Sequence, residues 1–433
     1  MYLLDQTWLP FSNLMLRHVY NVLLICSDYD RFMLEEDGRV EEELYKEYTA
    51  LGLSNPPKIT HTSSEEQAIS LLKEFKYELV ITMLDLGSDR VEGLAKAVKE
   101  IDGSMPVIAL SPSPDHRKAK ELKGENCPYI DYLFYWQGNP SIFLAMIKLV
   151  EDNMNLQHDT DEADVQVIII VEDSVRFISK YLPLMYYELI RQNRNSILEG
   201  LNEWGKTLRM RGRPKIALAR NFDEAWKLYS KYKQNILGVI TDVSFPSPFG
   251  RENAGILLAS KIKESNHECP ILIQSTDKEQ QNAAKDLGCD FIWKLSDTML
   301  HDLEKYILKE YHFGPFLFID PKTGNTILSA RTMKEVQLAL KKIPIECFIY
   351  HSLRNDFSKW LRSQSLYSLA TMIKHINLSD DKDPEKVKEL LYDTIKSYRA
   401  ERARGSIAEF SKDNYDETLF FSRIGKGSLG GKG

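Results

Sequence analysis

The sequence predicts an α/β protein with two doubly wound, five-stranded parallel-sheet domains, followed by a smaller α+β connector. Two observations predict this class. Short, mainly apolar runs alternate with amphipathic segments, and such runs are typical of strands buried on both faces between helices. The alternation occurs twice, which indicates an internal duplication in a chain of 433 residues, too long for one core.

The first copy is predicted within residues 1–150, where it follows an N-terminal extension. An acidic and polar segment, EDNMNLQHDTDEAD (151–164), predicts a loop-like linker after it. The strands of the first copy are expected at NVLLIC (21–26), KIT (58–60), ELVIT (78–82), VIAL (107–110) and DYLF (131–134).

The second copy is predicted within residues 165–310. After its last strand, Leu300, Leu303 and Ile307 fall on one face of a helix, as expected for a helix that covers a sheet. The strands of the second copy are expected at VIIIV (167–171), KIALA (215–219), ILGVIT (236–241), ILIQS (271–275) and DFIWK (290–294).

The connector is predicted within residues 311–412, where the pattern changes. The stretch FLFIDPKTGNTILSA (316–330) predicts a hairpin. Asp383 and Pro384 are suited to begin the last of its helices. A Gly-rich segment at 413–433 is expected to be a flexible tail or the start of a nucleotide-binding domain. The helices of the connector are expected at 332–343, 355–376 and 384–402.

Composition narrows the class of protein. The net charge of −7 disfavours binding to nucleic acid or to a membrane surface. No apolar run is long enough to span a bilayer. The five cysteines are scattered without C-x-x-C spacing, so neither a disulfide framework nor a zinc site is indicated, and a reducing cytoplasm is the simplest location.

Polar residues follow four strands of the second copy. Because the carboxyl ends of parallel strands meet at one edge, Glu172–Asp173, Asp242, Ser275–Thr276 and Lys294 are expected to lie together. Clustered carboxylates repel one another, and Mg²⁺ relieves that repulsion. Asp242 could then attack a phosphoryl group, while Lys294 and Ser275 bind its oxygens. A new bond of this kind could move the surrounding surface.

These motifs resemble the receiver domain of two-component response regulators. The resemblance rests on five motifs in order, within IIIVEDS, VITDVSFP, CPILIQST and LGCDFIWKLS. It implies phosphorylation of Asp242 and a metal held by Glu172, Asp173, Asp242 and the backbone carbonyl of Ser244. It also implies that Ser275, Thr276, Phe291 and Lys294 bind the phosphoryl group or act as the switch.

The second copy departs from the family pattern in two places. Leu295 replaces the proline that usually follows the lysine, which removes the expectation of a cis peptide there. The interval between Asp173 and Asp242 is longer than in the family, and the excess lies in a helical segment near 175–210. We expect this segment to dock against a neighbouring surface.

The same alignment identifies the first copy as a degenerate pseudo-receiver. Ser27–Asp28 takes the place of the acidic pair, Met83 that of the phosphoacceptor, Ser111 that of the hydroxyl and Tyr135 that of the lysine. A thioether cannot accept a phosphoryl group, and tyrosine carries no positive charge. Asp85 lies two residues beyond the expected acceptor position and is a weak substitute.

Three further motifs have ordinary explanations. RMRGRPK (209–215) contains the Arg-Gly-Arg-Pro core of minor-groove hooks, but one copy in an acidic chain predicts a basic turn. His351 and His375 lack metal-ligand spacing and are expected to be core or solvated histidines. The tail FSRIGKGSLGGKG (421–433) fails the phosphate-loop spacing.

The tail does resemble the opening of the nucleotide-binding domain of phosphoenolpyruvate synthases and pyruvate phosphate dikinases. HSLRNDFSKWL (351–361) is similar to the connector that precedes such domains in some bacterial proteins. This resemblance implies that the chain is the regulatory front of a larger phosphotransferase. A further alternative is a fragment of an ATP-dependent phosphotransferase, which nucleotide binding by the chain would support. We expect no such binding, because the fold it needs is absent.

The leading hypothesis is a non-enzymatic signalling protein that is phosphorylated on Asp242 and signals through protein contacts or a fused C-terminal domain. Its expected partners are a histidine kinase or phosphotransfer protein and a second copy of the chain. A membrane and nucleic acid are not expected partners. The main alternative is a scaffold in which both domains act by shape alone, without phosphorylation.

Overall fold

The computed structural model contains two five-stranded sheets and one two-stranded sheet. Among the residues it describes, no helix combines the length and the apolar character needed to cross a membrane. The described residues are 13–37, 39–53, 56–83, 88–111, 128–136, 138–196, 211–364, 366–376, 378 and 383–409.

The first sheet confirms the predicted parallel architecture, with strand order β2-β1-β3-β4-β5. This is the flavodoxin-like order, in which helices cover both faces of the sheet. Its strands are β1 (Asn21–Ile25), β2 (Lys58–Thr62), β3 (Leu79–Met83), β4 (Val107–Ser111) and β5 (Tyr132–Tyr135). Its helices are α1 (Asp28–Phe32, continued by a π-turn at Met33–Asp37), α2 (Val40–Ala50), α3 (Glu65–Glu74), α4 (Ser88–Ile101) and α5 (Ser141–Ala163).

The second sheet repeats this order as β7-β6-β8-β9-β10, again with every pair parallel. The duplication inferred from the sequence is therefore a duplication of the fold. Its strands are β6 (Val167–Val171), β7 (Lys215–Ala219), β8 (Ile236–Asp242), β9 (Ile271–Ser275) and β10 (Asp290–Trp293). Its helices are α6 (Val175–Ser196), α7 (Phe222–Tyr232), α8 (Ala254–Ser265), α9 (Gln280–Asp286) and α10 (Met299–Glu310).

One central core joins the two sheets. Successive side chains of a strand point to opposite faces of the sheet. Ile168 and Ile170 of β6 therefore point into this central core. Val167 and Ile169 point into a second apolar cluster on the other face, the outer core of the second domain. Helix α5 packs against α2 and β7, and helix α6 packs against β5 and α10, so each helix contacts both domains. The expectation that the segment near 175–210 docks on a neighbour holds for its described part, α6.

The prediction of a loop-like linker at 151–164 is wrong, because residues 151–163 are the second half of helix α5. Its acidic side chains are buried by specific partners. Asp152 accepts hydrogen bonds from the guanidinium of Arg213 at 2.6 and 3.0 Å, and Asp159 pairs with the ammonium of Lys215 at 2.9 Å. Compensated charges of this kind are tolerated in a core.

The C-terminal unit is the predicted α+β connector, a hairpin packed against helices. The single helix expected at 355–376 is divided in two, because the hydroxyl of Ser363 bonds the carbonyls of Trp360 and His312 where the first helix ends. The elements are β11 (Phe316–Ile319), β12 (Thr326–Ala330), α11 (Met333–Leu340), α12 (Ile345–Leu353), α13 (Asp356–Ser363), α14 (Tyr367–Ile376) and α15 (Pro384–Glu409).

Candidate functional site

Three carboxylates meet at the carboxyl edge of the second sheet. Glu172 and Asp173 follow the last residue of β6, and Asp242 ends β8, the neighbouring strand. One oxygen of each side chain lies within 4.8 Å of the others. Among the described residues this is the one group of acidic, histidine or cysteine ligands close enough to share a metal ion.

Lys294 reaches this cluster from the end of β10. Its ammonium lies 2.6 Å from Oε2 of Glu172 and 2.9 Å from Oδ1 of Asp242. The side chains of Lys294 and Glu172 are each 1% exposed, whereas that of Asp242 is 14% exposed. Asp242 is thus the member of this trio that an incoming reactant can reach.

Glu172 is held in a closed environment. Its Oε2 accepts a hydrogen bond of 2.6 Å from the hydroxyl of Tyr181, and its Oε1 accepts one of 3.0 Å from the backbone N–H of Ser174. Burial raises the pKa of Glu172, the ion pair with Lys294 opposes that rise, and the net direction is upward. Burial and the Glu172 carboxylate also raise the pKa of the Tyr181 hydroxyl.

Helix α6 covers the buried ion pair with two aromatic side chains. The ammonium of Lys294 lies 4.4 Å from the ring centroid of Phe177, a cation–π contact. Phe177 and Tyr181 are stacked, since four residues along a helix return to the same face. Sequence reasoning missed both residues, although their spacing directly after the acidic pair was a usable signal.

Arg251 stands at the outer side of the cluster. Its guanidinium forms a short ion pair with Asp173 and lies 3.5 Å from the backbone carbonyl of Ser244. The Asp173 carboxylate and the Ser244 carbonyl are two of the ligands that the resemblance to receiver domains implies for Mg²⁺. All of the implied ligand atoms are oxygens, which suits a hard divalent cation. The guanidinium of Arg251 already contacts two of these ligands.

The carboxylate of Asp242 is held by the next residue, and helix α8 packs closely against the backbone of Asp242. Its Oδ1 accepts a hydrogen bond of 2.8 Å from the N–H of Val243. A Cβ added to Gly255, in the first turn of α8, would lie 1.8 Å from the carbonyl oxygen of Asp242. This close approach explains a glycine that sequence reasoning did not single out.

Of the residues predicted for the switch, Ser275 and Thr276 lie at the same edge, whereas Phe291 lies near the amino end of β10. Ser275 is buried, and its hydroxyl accepts a hydrogen bond of 3.0 Å from the N–H of Asp277. The carbonyl of Thr276, an exposed residue, accepts one of 2.9 Å from the indole of Trp293. Phe291 is half-buried against the outer core of the second domain.

The corresponding edge of the first sheet has a different character. Met83 ends β3 with 2% of its surface exposed and packs in the central core, while Asp28 is exposed at the start of α1. Ser111 is buried. The backbone N–H of Tyr135 donates a hydrogen bond of 2.8 Å to the hydroxyl of Ser179 in α6. Asp85, the weak substitute, lies outside the described residues.

The remaining sequence motifs have structural roles or fall outside the described chain. The Arg213 and Lys215 side chains of the basic motif are buried against α5. His351 is buried, accepts the N–H of Ile319 on Nε2 at 2.9 Å, and contacts Asp356 through Nδ1 at 2.8 Å. The side chain of His375 and the tail 413–433 lie outside the described residues.

Neither a protein-family model nor a curated protein matches this chain. The case for a function therefore rests on the geometry of the site.

Proposed function

We propose that the second α/β domain is a receiver that accepts a phosphoryl group on Asp242, with Mg²⁺ held by Glu172, Asp173, Asp242 and the Ser244 carbonyl. The observation that carries this proposal is the convergence of three carboxylates and one buried lysine on one sheet edge. Bound Mg²⁺ would neutralise the oxygens of the incoming phosphoryl group.

The transfer step uses groups of this chain in defined ways. A carboxylate oxygen of Asp242 attacks phosphorus, and the bond from phosphorus to the donor's imidazole breaks. The imidazole leaves with the bonding electron pair and regains a proton from water. The ammonium of Lys294, now 2.9 Å from Asp242, turns to the phosphoryl oxygens. The hydroxyl of Ser275 accepts one hydrogen bond and keeps its own proton to donate to them.

Helix α6 supports an output through the first domain. On one side it bonds Glu172 through Tyr181 and covers Lys294 with Phe177. On the other side Ser179 accepts the backbone N–H of Tyr135 in the first sheet. A shift of Lys294 toward a phosphoryl group changes the first set of contacts, and the helix carries that change to the second.

The donor in this proposal is a histidine kinase or phosphotransfer protein, and a homodimer is a further form of output. A reducing cytoplasm is the proposed location, and the free thiols of Cys26, Cys269, Cys289 and Cys347 support it. Regulation of a fused phosphoenolpyruvate synthase-like domain remains a proposal based on the sequences at 351–361 and 421–433 alone.

A phosphorylation-independent scaffold is the second candidate. The observation that favours it is the ion pair between Lys294 and Glu172, which satisfies the buried lysine without a phosphoryl group. In that case the shared core and helices α5 and α6 would fix the two domains as one permanent surface.

The discriminating experiment is the intact mass of the protein after incubation with Mg²⁺ and acetyl phosphate. The receiver proposal expects the mass of one added phosphoryl group in the natural chain and none in Asp242→Asn. Circular dichroism verifies that both proteins are folded. An unmodified natural chain, after repetition with a panel of phosphorylated histidine phosphotransfer proteins, would favour the scaffold.

A further inference from the structure

A large cleft separates the second α/β domain from the C-terminal unit. Its volume is about 940 Å³, within the range of small-molecule sites. Ile271 and Asp290, the first residues of β9 and β10, line it. The cleft therefore opens at the amino edge of the second sheet, the edge opposite the acidic cluster.

Both units contribute walls to the cleft. Pro270 and Ile271 come from the sheet, while Phe316 and Trp360 come from the C-terminal unit. An ion pair of 3.7 Å between Lys359 and Glu268 crosses from one unit to the other. An occupant of the cleft would thus contact both the second α/β domain and the C-terminal unit.

Two buried polar residues line the cleft, His351 with 3% and Asp356 with 5% of its surface exposed. The Oδ2 atom of Asp356 contacts Nδ1 of His351 at 2.8 Å and Nε of Arg354 at 3.5 Å. Its Oδ1 is buried and has no hydrogen-bond partner among the residues that the structure describes. Buried carboxylate oxygens are normally satisfied, so this atom calls for a donor that the described residues do not supply.

The charge of Asp356 follows from its neighbours. The Nε2 atom of His351 accepts the N–H of Ile319, which leaves the ring proton on Nδ1 facing the carboxylate. Burial alone would raise the pKa of Asp356, but the hydrogen bond from His351 and the charge of nearby Arg354 outweigh it, so the pKa falls below its usual range.

The basic and acidic side chains that line the cleft are nearly equal in number. Lys305 lies on the rim and makes no ion pair with the described residues. Desolvation lowers the pKa of His312 to about 4, so this lining side chain is neutral. A balanced lining suits a ligand that carries both signs better than a multivalent ion. The basic residues that line the cleft are Lys263, Lys305, Lys309, Arg354 and Lys359, and the acidic ones are Glu268, Asp290, Glu310 and Asp356.

We propose that this cleft binds a small zwitterion, whose ammonium group donates to Oδ1 of Asp356 and whose carboxylate faces Lys305. A free amino acid and a short peptide share this chemistry, and the apolar walls would receive the side chain. The proposal is independent of phosphorylation at Asp242, because the two sites lie at opposite edges of the sheet. It makes the chain a sensor of a small molecule at the junction with its C-terminal unit.

The test is the thermal unfolding of the full chain with two probes. One is a mixture of the twenty common amino acids, and the other is a mixture of tripeptides with free termini. We expect one mixture to raise the melting temperature in a saturable way. Single components from that mixture are then titrated by calorimetry, which identifies the source. No saturable shift with either mixture would overturn the proposal.

Variants locate the binding site. Asp356→Asn keeps the shape of the side chain and should weaken binding at least about tenfold, because it removes a charged hydrogen bond. Lys305→Ala should weaken binding several-fold and leave the melting temperature of the free protein unchanged, so it remains informative if Asp356→Asn unfolds. Lys285→Ala is the matched control, because Lys285 is an exposed residue of α9 that is not among the residues that line the cleft. Equal affinity in Lys305→Ala and Lys285→Ala would contradict the assignment.

Discussion

The two α/β domains share a strand order but differ at the edge where chemistry would occur. In the second domain β8 ends in Asp242, beside a buried lysine and two further carboxylates. In the first domain the equivalent strand ends in Met83, which is buried in the central core. The sheet does not require the carboxylate, since a thioether at the same position contributes apolar burial.

The comparison also shows where the two domains depend on each other. Helix α6 begins directly after the acidic pair of the second domain and packs against β5 of the first. The edge of the first sheet at Tyr135 is therefore bonded to the same helix that covers Glu172 and Lys294 at the edge of the second sheet. If Asp242 is phosphorylated as proposed, this helix would connect that event to the first domain.

The largest predicted difference concerns the lysine position. Lys294→Met leaves the buried Glu172 carboxylate beside Asp242 without a cation, and the free energy of unfolding should fall by about 3–5 kcal/mol. Tyr135→Phe, at the equivalent position of the first domain, should change it by less than about 0.5 kcal/mol. Urea denaturation of both variants measures this, and equal losses would break the comparison.

The next prediction concerns the acceptor position of the first domain. Met83→Asp buries a carboxylate in an apolar core and should destabilise the protein by about 3 kcal/mol, again measured with urea. Combined with Asp242→Asn, it should not restore phosphorylation by acetyl phosphate, because Tyr135 supplies no positive charge. A phosphorylated double variant would show that the first domain has kept its reactive set.

A smaller effect is expected from the aromatic cover. Tyr181→Phe removes the hydrogen bond to buried Glu172 and should lower the free energy of unfolding by about 1–3 kcal/mol. Tyr187→Phe is the matched control on the same helix, since Tyr187 is 42% exposed. The account requires the first change to exceed the second, and to alter the rate of phosphorylation as well.

The smallest effect concerns metal affinity. Arg251 pairs with Asp173 and approaches the Ser244 carbonyl, so it competes with a cation at those ligands. Because Arg251 is 54% exposed, the competition is modest, and Arg251→Ala should tighten Mg²⁺ binding only a few-fold. Calorimetric titration with Mg²⁺ measures it. Weaker binding in this variant would place the metal elsewhere.

The sheets and the clustering of the carboxylates with Lys294 at one edge were predictable because their signals are local. Apolar runs such as Val167–Val171 identify buried strands, and the residue after each strand identifies the edge. Residues 151–164 were misread because Asp152 and Asp159 are buried by Arg213 and Lys215, which lie far away in sequence. Composition cannot reveal a partner that only the fold supplies.

The cover of the site illustrates the same limit. The contact between Tyr181 and Glu172 is local, since the two residues are nine apart in sequence. The contact between Phe177 and Lys294, in contrast, joins residues at opposite ends of the domain sequence, and no local pattern indicates it. The cleft at Asp356 was not predictable either, since its walls come from two units separated in sequence. A sequence pattern does not reveal a contact between residues that only the fold brings together.

The most direct test of the central claim is to locate the phosphoryl group in the natural chain. After incubation with Mg²⁺ and acetyl phosphate, borohydride reduction converts an aspartyl phosphate to homoserine, which peptide mass spectrometry can place. We expect conversion at Asp242 and none at Asp28 or Asp85. Conversion at either residue of the first domain would contradict this claim. So would conversion in neither domain of the folded protein after repetition with phosphorylated histidine phosphotransfer proteins.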